Sequence, residues 1–375
     1  FGSSHLALRS PGRVRPRSGA TWIRMSATEP RKPPTDWDNL GFSLQPASYM
    51  YVAEVQNGQS WAPGEIKPYG NLSMEPAACV LNYGQGLFEG MKAQRTLEGE
   101  IVLFRPDCNA ERLQQGAQRL GMTPVPAEMF VDAITKVTQA NLDWIPPAGK
   151  GALYIRPCLM GTGGILGVAP APAFTFLVYA CPVGLYFKKG LSPISLKVSD
   201  EFHRSAPGGV GGVKAIGNYA PGMMPAGAAK KEGFDELLYL DSVEHKYVEE
   251  AGAANFFCRK GNTIYTPVLV GTVLPGVTRR SVLQLAKDLG YEVKEDRLDI
   301  EFAITADEAW CTGTAAVIAP IGKVEYKGKK IEFNEGKIGD ATSKLYEALT
   351  QTQLLQRPDT HGWVVKVEAK NSALN

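Results

Sequence analysis

Residues 247–280 read YVEEAGAANFFCRKGNTIYTPVLVGTVLPGVTRR. The stretch sets a carboxylate, Glu250, among small residues, follows it with Asn255 and aromatics, and turns at Thr266–Pro267 before LPGVTR (274–279). That last run opens the clearest helix of the chain, TRRSVLQLAKDLG (278–290). Val282, Leu285, Ala286 and Leu289 lie on one apolar stripe there, and Gly290 closes it. At such a start the main-chain N–H groups of Val277 and Thr278 lack intrahelical acceptors, which makes them natural ligands for a phosphate.

Upstream, PGGVGGVKAIGNYAP (207–221) puts Lys214 inside a glycine cluster. The spacing is not that of a phosphate loop, because Val213 precedes the lysine and Ala215 follows it, where that motif needs Gly-Lys-Ser/Thr. Nor is GTGGILG (161–167) a dinucleotide fingerprint, since Leu166 occupies the place of the third glycine. A lysine flanked by small residues has another use: desolvation lowers its pKa and makes the amine a nucleophile toward an aldehyde. Read singly, Lys214 is a surface lysine in a loop, Glu250 a solvated charge and LPGVTR an ordinary helix start. Together they supply an amine for a Schiff base, a carboxylate for a ring nitrogen and a phosphate cradle. Those are the needs of pyridoxal 5′-phosphate.

With 44% apolar and 21% charged residues, the chain has the composition of an ordinary soluble globular protein. Its 375 residues carry a formal charge of +2, but residues 1–27 hold five arginines and no acid, which leaves the remainder at −3. A nucleic-acid partner recruited by bulk charge is therefore not expected. The leader, Arg- and Ser-rich without an apolar core, has the composition of an organellar transit peptide, plastid before mitochondrion. The alternative is a disordered basic tail with Met25 as the start. Residues 157–187 contain no charge, yet Gly and Pro interrupt them so often that buried strands, not a membrane span, are expected. Six scattered cysteines form no CxxC pair and read as reduced thiols, and the four histidines are not spaced as metal ligands, so no metal site is expected.

About 350 residues beyond the leader call for two domains. The boundaries expected are a transit peptide over 1–27, a small N-terminal α/β domain over 28–182, a linker at 183–189 and a large C-terminal domain over 190–375. In the first, DCNAERLQQGAQRLG (107–121) predicts a helix with Asp107 as N-cap and Gly121 as stop, and a second helix runs over 127–142. Strands are expected at 152–158, 174–181, 194–199, 235–240, 263–266 and 315–319. The fold class is α/β (α+β).

The run Glu250-Ala-Gly-Ala-Ala-Asn255-Phe-Phe, then Ile264-Tyr-Thr266, then Leu274-Pro-Gly-Val-Thr278-Arg279 resembles the class IV, fold-type IV aminotransferases, a two-domain fold shared with D-amino acid aminotransferase. NYGQGLFEGMKAQR (82–95), NAERL (109–113), ALYIRPCLMGT (152–162), GGVKAIGNYA (211–220) and CTGTAAVIAP (311–320) resemble, more narrowly, the branched-chain amino acid aminotransferases in their organellar plant form. The similarity spans roughly 38–365 in collinear order. It implies pyridoxal 5′-phosphate as cofactor, with Lys214 as the Schiff-base lysine and proton carrier, Glu250 on the pyridine nitrogen and Tyr219 on the phenolic oxygen. Arg112, the Val277 and Thr278 amides and the Thr314 hydroxyl would take the phosphate. For the substrate it implies an aromatic wall of Phe42, Tyr83, Phe88 and Tyr154, with Arg156 for the second carboxylate of glutamate and the Thr314–Ala315 amides for the α-carboxylate. It further implies ping-pong exchange between Leu, Ile or Val and 2-oxoglutarate, and a homodimer in which partner loops close the pocket.

Two departures from the family stand out. Ala253 occupies a position where some members place a substrate-contacting threonine, and Ala316-Val-Ile-Ala319 replaces a redox-responsive CxxC. The rival readings are a D-amino acid aminotransferase or aminodeoxychorismate lyase on the same fold, and a non-catalytic binding relative.

Overall fold

The computed structural model describes residues 24–25, 31–187 and 190–368. Most of the expected leader and two residues of the expected linker, Lys188 and Lys189, therefore lie outside the described residues.

The first half builds an eight-stranded sheet in the order Val364–Val367, Ile101–Phe104, Met91–Arg95, Ala152–Gly161, Ala173–Val183, Tyr49–Gln56 and Glu65–Pro68, with Gly86–Phe88 on Ala152–Gly161. Every pairing in it is antiparallel. The charge-free stretch supplies the end of one long central strand, from Pro157, and all of the other, Ala173–Val183, and no helix among the described residues is long and apolar enough to cross a membrane. Period-two alternation decides what each face does. In Ala152–Gly161, Leu153, Ile155 and Leu159 are fully buried and pack on the helices Pro106–Arg119 and Ala127–Ala140 through Ala110, Leu113, Phe130 and Ile134. The intervening Tyr154 and Arg156 point the other way, toward the second half of the chain.

The first of those helices starts differently from expectation. Asp107 falls inside the first turn, and the N-cap is Arg105 in a left-handed conformation, φ 49°, with no side-chain cap. Pro106 accounts for the shift, since its fixed φ and missing N–H suit the first helical position. The Arg105 guanidinium is used elsewhere, on Ser281 Oγ at 2.9 Å and over the Trp363 ring.

The second half forms a nine-stranded mixed sheet. Val248–Ala251 pairs both with Glu236–Leu240 and, through a hairpin, with Ala254–Lys260, so the sheet closes on itself. The helices Val277–Asp288 and Asp340–Gln353 pack against it through Val282, Leu285, Leu345 and Leu349, around Phe257 and Trp310 stacked at 5.7 Å. One strand departs from the expected division. Val364–Val367, placed by sequence in the second domain, pairs with Ile101–Phe104 in the first sheet. That strand is buried over three of its four residues, and without the returning segment its outer edge would be left unpaired.

Candidate active site

The two halves meet along Gly86–Lys92, which lies against the 211–219 loop and the 313–317 turn. Phe88 N–H donates to the Lys214 carbonyl at 3.2 Å, and Leu87 bridges Ala215. The Lys214 ammonium is thus fixed over the Phe88 ring, 4.7 Å from its centroid, and donates to Tyr219 Oη at 3.1 Å. Desolvation, reinforced by the Arg112 charge, lowers the Lys214 pKa to about 8. Burial raises Tyr219 to about 12, so its hydroxyl stays protonated.

The hairpin at Gly252, φ 53°, makes Glu250 and Asn255 direct antiparallel partners. Asn255 Nδ2 donates both to Glu250 Oε1 and to the Leu274 carbonyl, each at 2.9 Å, while the Leu274 N–H donates to Glu250 Oε2 at 3.2 Å. Glu250 is only 1% exposed. Burial pushes it up to about 7, outweighing the lowering by the Arg204 guanidinium, which pairs with Oε2, and by the Leu274 amide.

Gly276 precedes the helix Val277–Asp288 and offers no side-chain cap. Its lack of a Cβ is required, because one would stand 2.0 Å from Asn255 Oδ1. The uncapped amides therefore open next to the buried charges. Arg112 points there too: Nη1 donates to the Pro275 carbonyl at 3.0 Å, and Nε and Nη2 grip Glu89 at 2.8 and 2.6 Å. Asn109 completes the cage around Glu89 at 2.7 Å.

On the substrate side, Phe42, Tyr154, Arg156 and Ala315 line one cavity of about 300 Å³. The Arg156 guanidinium lies over the rings of Phe88 and Tyr154, at 4.8 and 5.4 Å, and its buried Nε has no hydrogen-bond partner. No carboxylate pairs with it among the described residues. Thr314 Oγ1 donates to the Gly90 carbonyl at 3.2 Å, so the hydroxyl expected on a phosphate is engaged across the junction. The turn that carries Thr314 and Ala315 ends in Val317 at φ 63°, a β-branched residue in a conformation that costs on the order of 1–3 kcal/mol.

Tyr83 does not join Phe42, Phe88 and Tyr154. It ends the short helix Cys79–Tyr83, and Gly84, φ 64°, turns the chain so that the Tyr83 hydroxyl donates to the Leu166 carbonyl. Leu166 and Val168 are 92% and 87% exposed, and Leu81 and Tyr83 are exposed beside them.

The amino-transferase class IV family model matches residues 86–324. The chain belongs to the class IV aminotransferases. Among curated relatives, this aminotransferase is similar to branched-chain amino acid aminotransferase 2, chloroplastic, of Humulus lupulus: 49% identical over 332 residues, 88% of this chain and 81% of the relative. It is also similar to methionine aminotransferase BCAT4 of Arabidopsis thaliana, 47% identical over 346 residues, 92% of this chain and 97% of the relative. Among solved structures, a T.th. branched-chain amino acid aminotransferase with pyridoxamine 5′-phosphate superposes with a TM-score of 0.75 at 28% identity, covering 87% of this chain and 100% of that one.

Two further buried charges of the aminotransferase face this site without a motif that marks them in the sequence. Arg204, ten positions before Lys214, is the counter-charge of Glu250, and Glu89, inside the FEGMK block, is that of Arg112. The six cysteines are free, and burial pushes the Cys311 thiol far up, which makes it a poor nucleophile beside the turn.

Proposed function

We propose that the chain uses pyridoxal 5′-phosphate to exchange amino groups reversibly between L-leucine, L-isoleucine or L-valine and 2-oxoglutarate. The observation that carries this is the convergence in one buried site of a low-pKa lysine, a caged carboxylate and an uncapped helix start, with an unpaired arginine across an apolar cavity. The residues present suit the cofactor. A carboxylate has about four acceptor positions, and Glu250 fills three with Asn255, Leu274 and Arg204, which leaves one for a ring N–H. Lys214 makes one hydrogen bond, to a hydroxyl that can equally face a phenolic oxygen.

When bound, the cofactor supplies an electron-poor ring that accepts the electron pair left at the substrate Cα. Lys214 Nζ would hold the aldehyde carbon until the substrate amine displaces it there, and the freed amine would then take the proton from Cα. Glu250, ionised by the charge of a cationic ring nitrogen, would keep that nitrogen protonated. Arg112, the amides of Val277 and Thr278 and a rotated Thr314 hydroxyl would hold the phosphate. The amides of Thr314 and Ala315 take the α-carboxylate, leaving the side chain toward Phe42, Phe88 and Tyr154. An aliphatic side chain rests on those rings, whereas the γ-carboxylate of glutamate reaches Arg156. One cavity thereby serves both substrates.

The test is paired. The protein should aminate 2-oxoglutarate from L-leucine faster than from D-alanine, with L-methionine as a third donor because of the methionine-named relative. Faster turnover of the D-amino acid would overturn the choice. Arg156→Met should lose roughly tenfold or more in kcat/KM with glutamate and much less in the leucine half-reaction. Equal losses would assign Arg156 to structure.

The exposed apolar cluster of Leu81, Tyr83, Leu166 and Val168 supports a homodimer in which these segments approach the partner's pocket. Sedimentation as a monomer at micromolar concentration would count against it. We read residues 28–182 as the smaller domain, 183–189 as its connection to the larger, and 1–27 as a plastid import leader. Fusing the leader to a fluorescent protein tests its destination, with delivery to mitochondria as the contrary result.

A further inference from the structure

Lys92 stands in the strand Met91–Arg95, opposite Tyr154 on Ala152–Gly161. Its Nζ donates to the Ala315 carbonyl at 2.8 Å, and no carboxylate pairs with it among the described residues. Burial alone lowers its pKa to about 8, so no neighbouring charge compensates it. An ammonium withdrawn from water without a counter-ion is unfavourable, and its acceptor is a main-chain oxygen of the turn that carries Thr314 and Ala315.

We propose that Lys92 is a positioning residue for the substrate carboxylate: it holds the Ala315 carbonyl so that the 314–315 amides face the substrate, and places positive charge directly behind them. This rests on the aminotransferase reading above. Three features of the turn support it. The turn runs into Val317 at φ 63°, a left-handed conformation that a β-branched residue rarely adopts, so it needs support from outside itself. The other tether, Thr314 Oγ1 to the Gly90 carbonyl, is a hydroxyl free to rotate toward a phosphate, which leaves the Lys92 bond as the one that remains. Ala315 also separates two cavities. Arg156 lines the one on the substrate side, and Lys92 lines the other, of about 280 Å³, with Tyr186 and Tyr346. Lys92 thus reaches the turn from the far side and does not compete for the carboxylate itself.

The experiment compares holoenzymes of wild type, Lys92→Met and Lys92→Arg in half-reactions with L-leucine, L-glutamate and 3-methylbutylamine, which is leucine without its carboxylate. In Lys92→Met the KM for both amino acids should rise roughly tenfold with kcat within about twofold. The amine reaction and the absorption band of the bound cofactor should be unchanged, and Lys92→Arg should recover most of the loss. An unchanged KM, a loss confined to glutamate, or an amine slowed as much as leucine would overturn the proposal. Should Lys92→Met not fold, Lys92→Gln keeps a donor and drops the charge. An equal, smaller rise in KM for both amino acids then supports the role, and no rise refutes it. A wild-type protein that does not transaminate L-leucine refutes the underlying reading instead.

Discussion

Lys214→Ala protein is expected to purify without the visible absorption band of the wild type and to transfer amino groups on the order of 10⁴-fold more slowly, or not measurably. Two losses should coincide in that variant, the covalent anchor and the base at Cα, because one nitrogen is proposed for both. Its surroundings fix the pH at which it works. Only the free amine attacks an aldehyde, and with the pKa lowered from 10.5 to about 8 the free fraction climbs between pH 7 and 9. Cofactor uptake by the apoenzyme should therefore accelerate over that window and level off above it. Acceleration that continues to pH 10 would mean an unperturbed, solvated lysine. A retained visible band in Lys214→Ala would assign the chromophore to another amine and overturn the site.

The second large effect is at Glu250. Glu250→Gln should lower kcat by roughly 10²–10³-fold, the scale of removing one preorganised electrostatic partner from a developing charge. The amide cannot keep a ring nitrogen protonated, and it also mismatches its cage. Asn255 Nδ2, the Leu274 N–H and Arg204 all present hydrogens to the present carboxylate, whereas an amide turns one end into a donor. Glu250→Ala should be equally inactive and also less stable, because it strands the Arg204 guanidinium, whose side chain is 6% exposed. Removing one member of a buried pair costs about 3–5 kcal/mol. Urea unfolding separates the two effects: Gln should stay near wild type and Ala fall well below it. Comparable stability of all three proteins would show that Arg204 finds another partner, and an active Gln variant would remove Glu250 from the chemistry.

Local chemistry was readable where a residue type has few uses. Lys214 among glycines, Glu250 ahead of an aromatic hairpin, and LPGVTR at a helix start each narrowed the options, and the structure brings them together at one junction. The strands of the charge-free stretch were readable from composition, although each extends two or three residues past its expected end, because sheet pairing continues where propensity fades. What stayed hidden depends on distant partners. Nothing in HRSAPGG marks Arg204 as the counter-charge of a carboxylate on another strand, since the pairing exists only once the sheet closes. Tyr83 sits five residues before Phe88, close enough in sequence to suggest one wall, but the left-handed Gly84 sends the two rings in different directions.

The strand Val364–Val367 has a consequence for how the protein is made. Ile101–Phe104 leaves the ribosome well before its neighbour Val364–Val367, which is translated only after the whole intervening chain. At ordinary elongation rates that interval lasts roughly ten to fifty seconds. Throughout it the nascent amino-terminal sheet presents a bare apolar edge, open to other chains. Completion of the amino-terminal layer thus waits for residues made after the second sheet, so a message truncated just before the codon for Val364 would yield a protein with both halves of its candidate site but an unsealed edge, prone to aggregate.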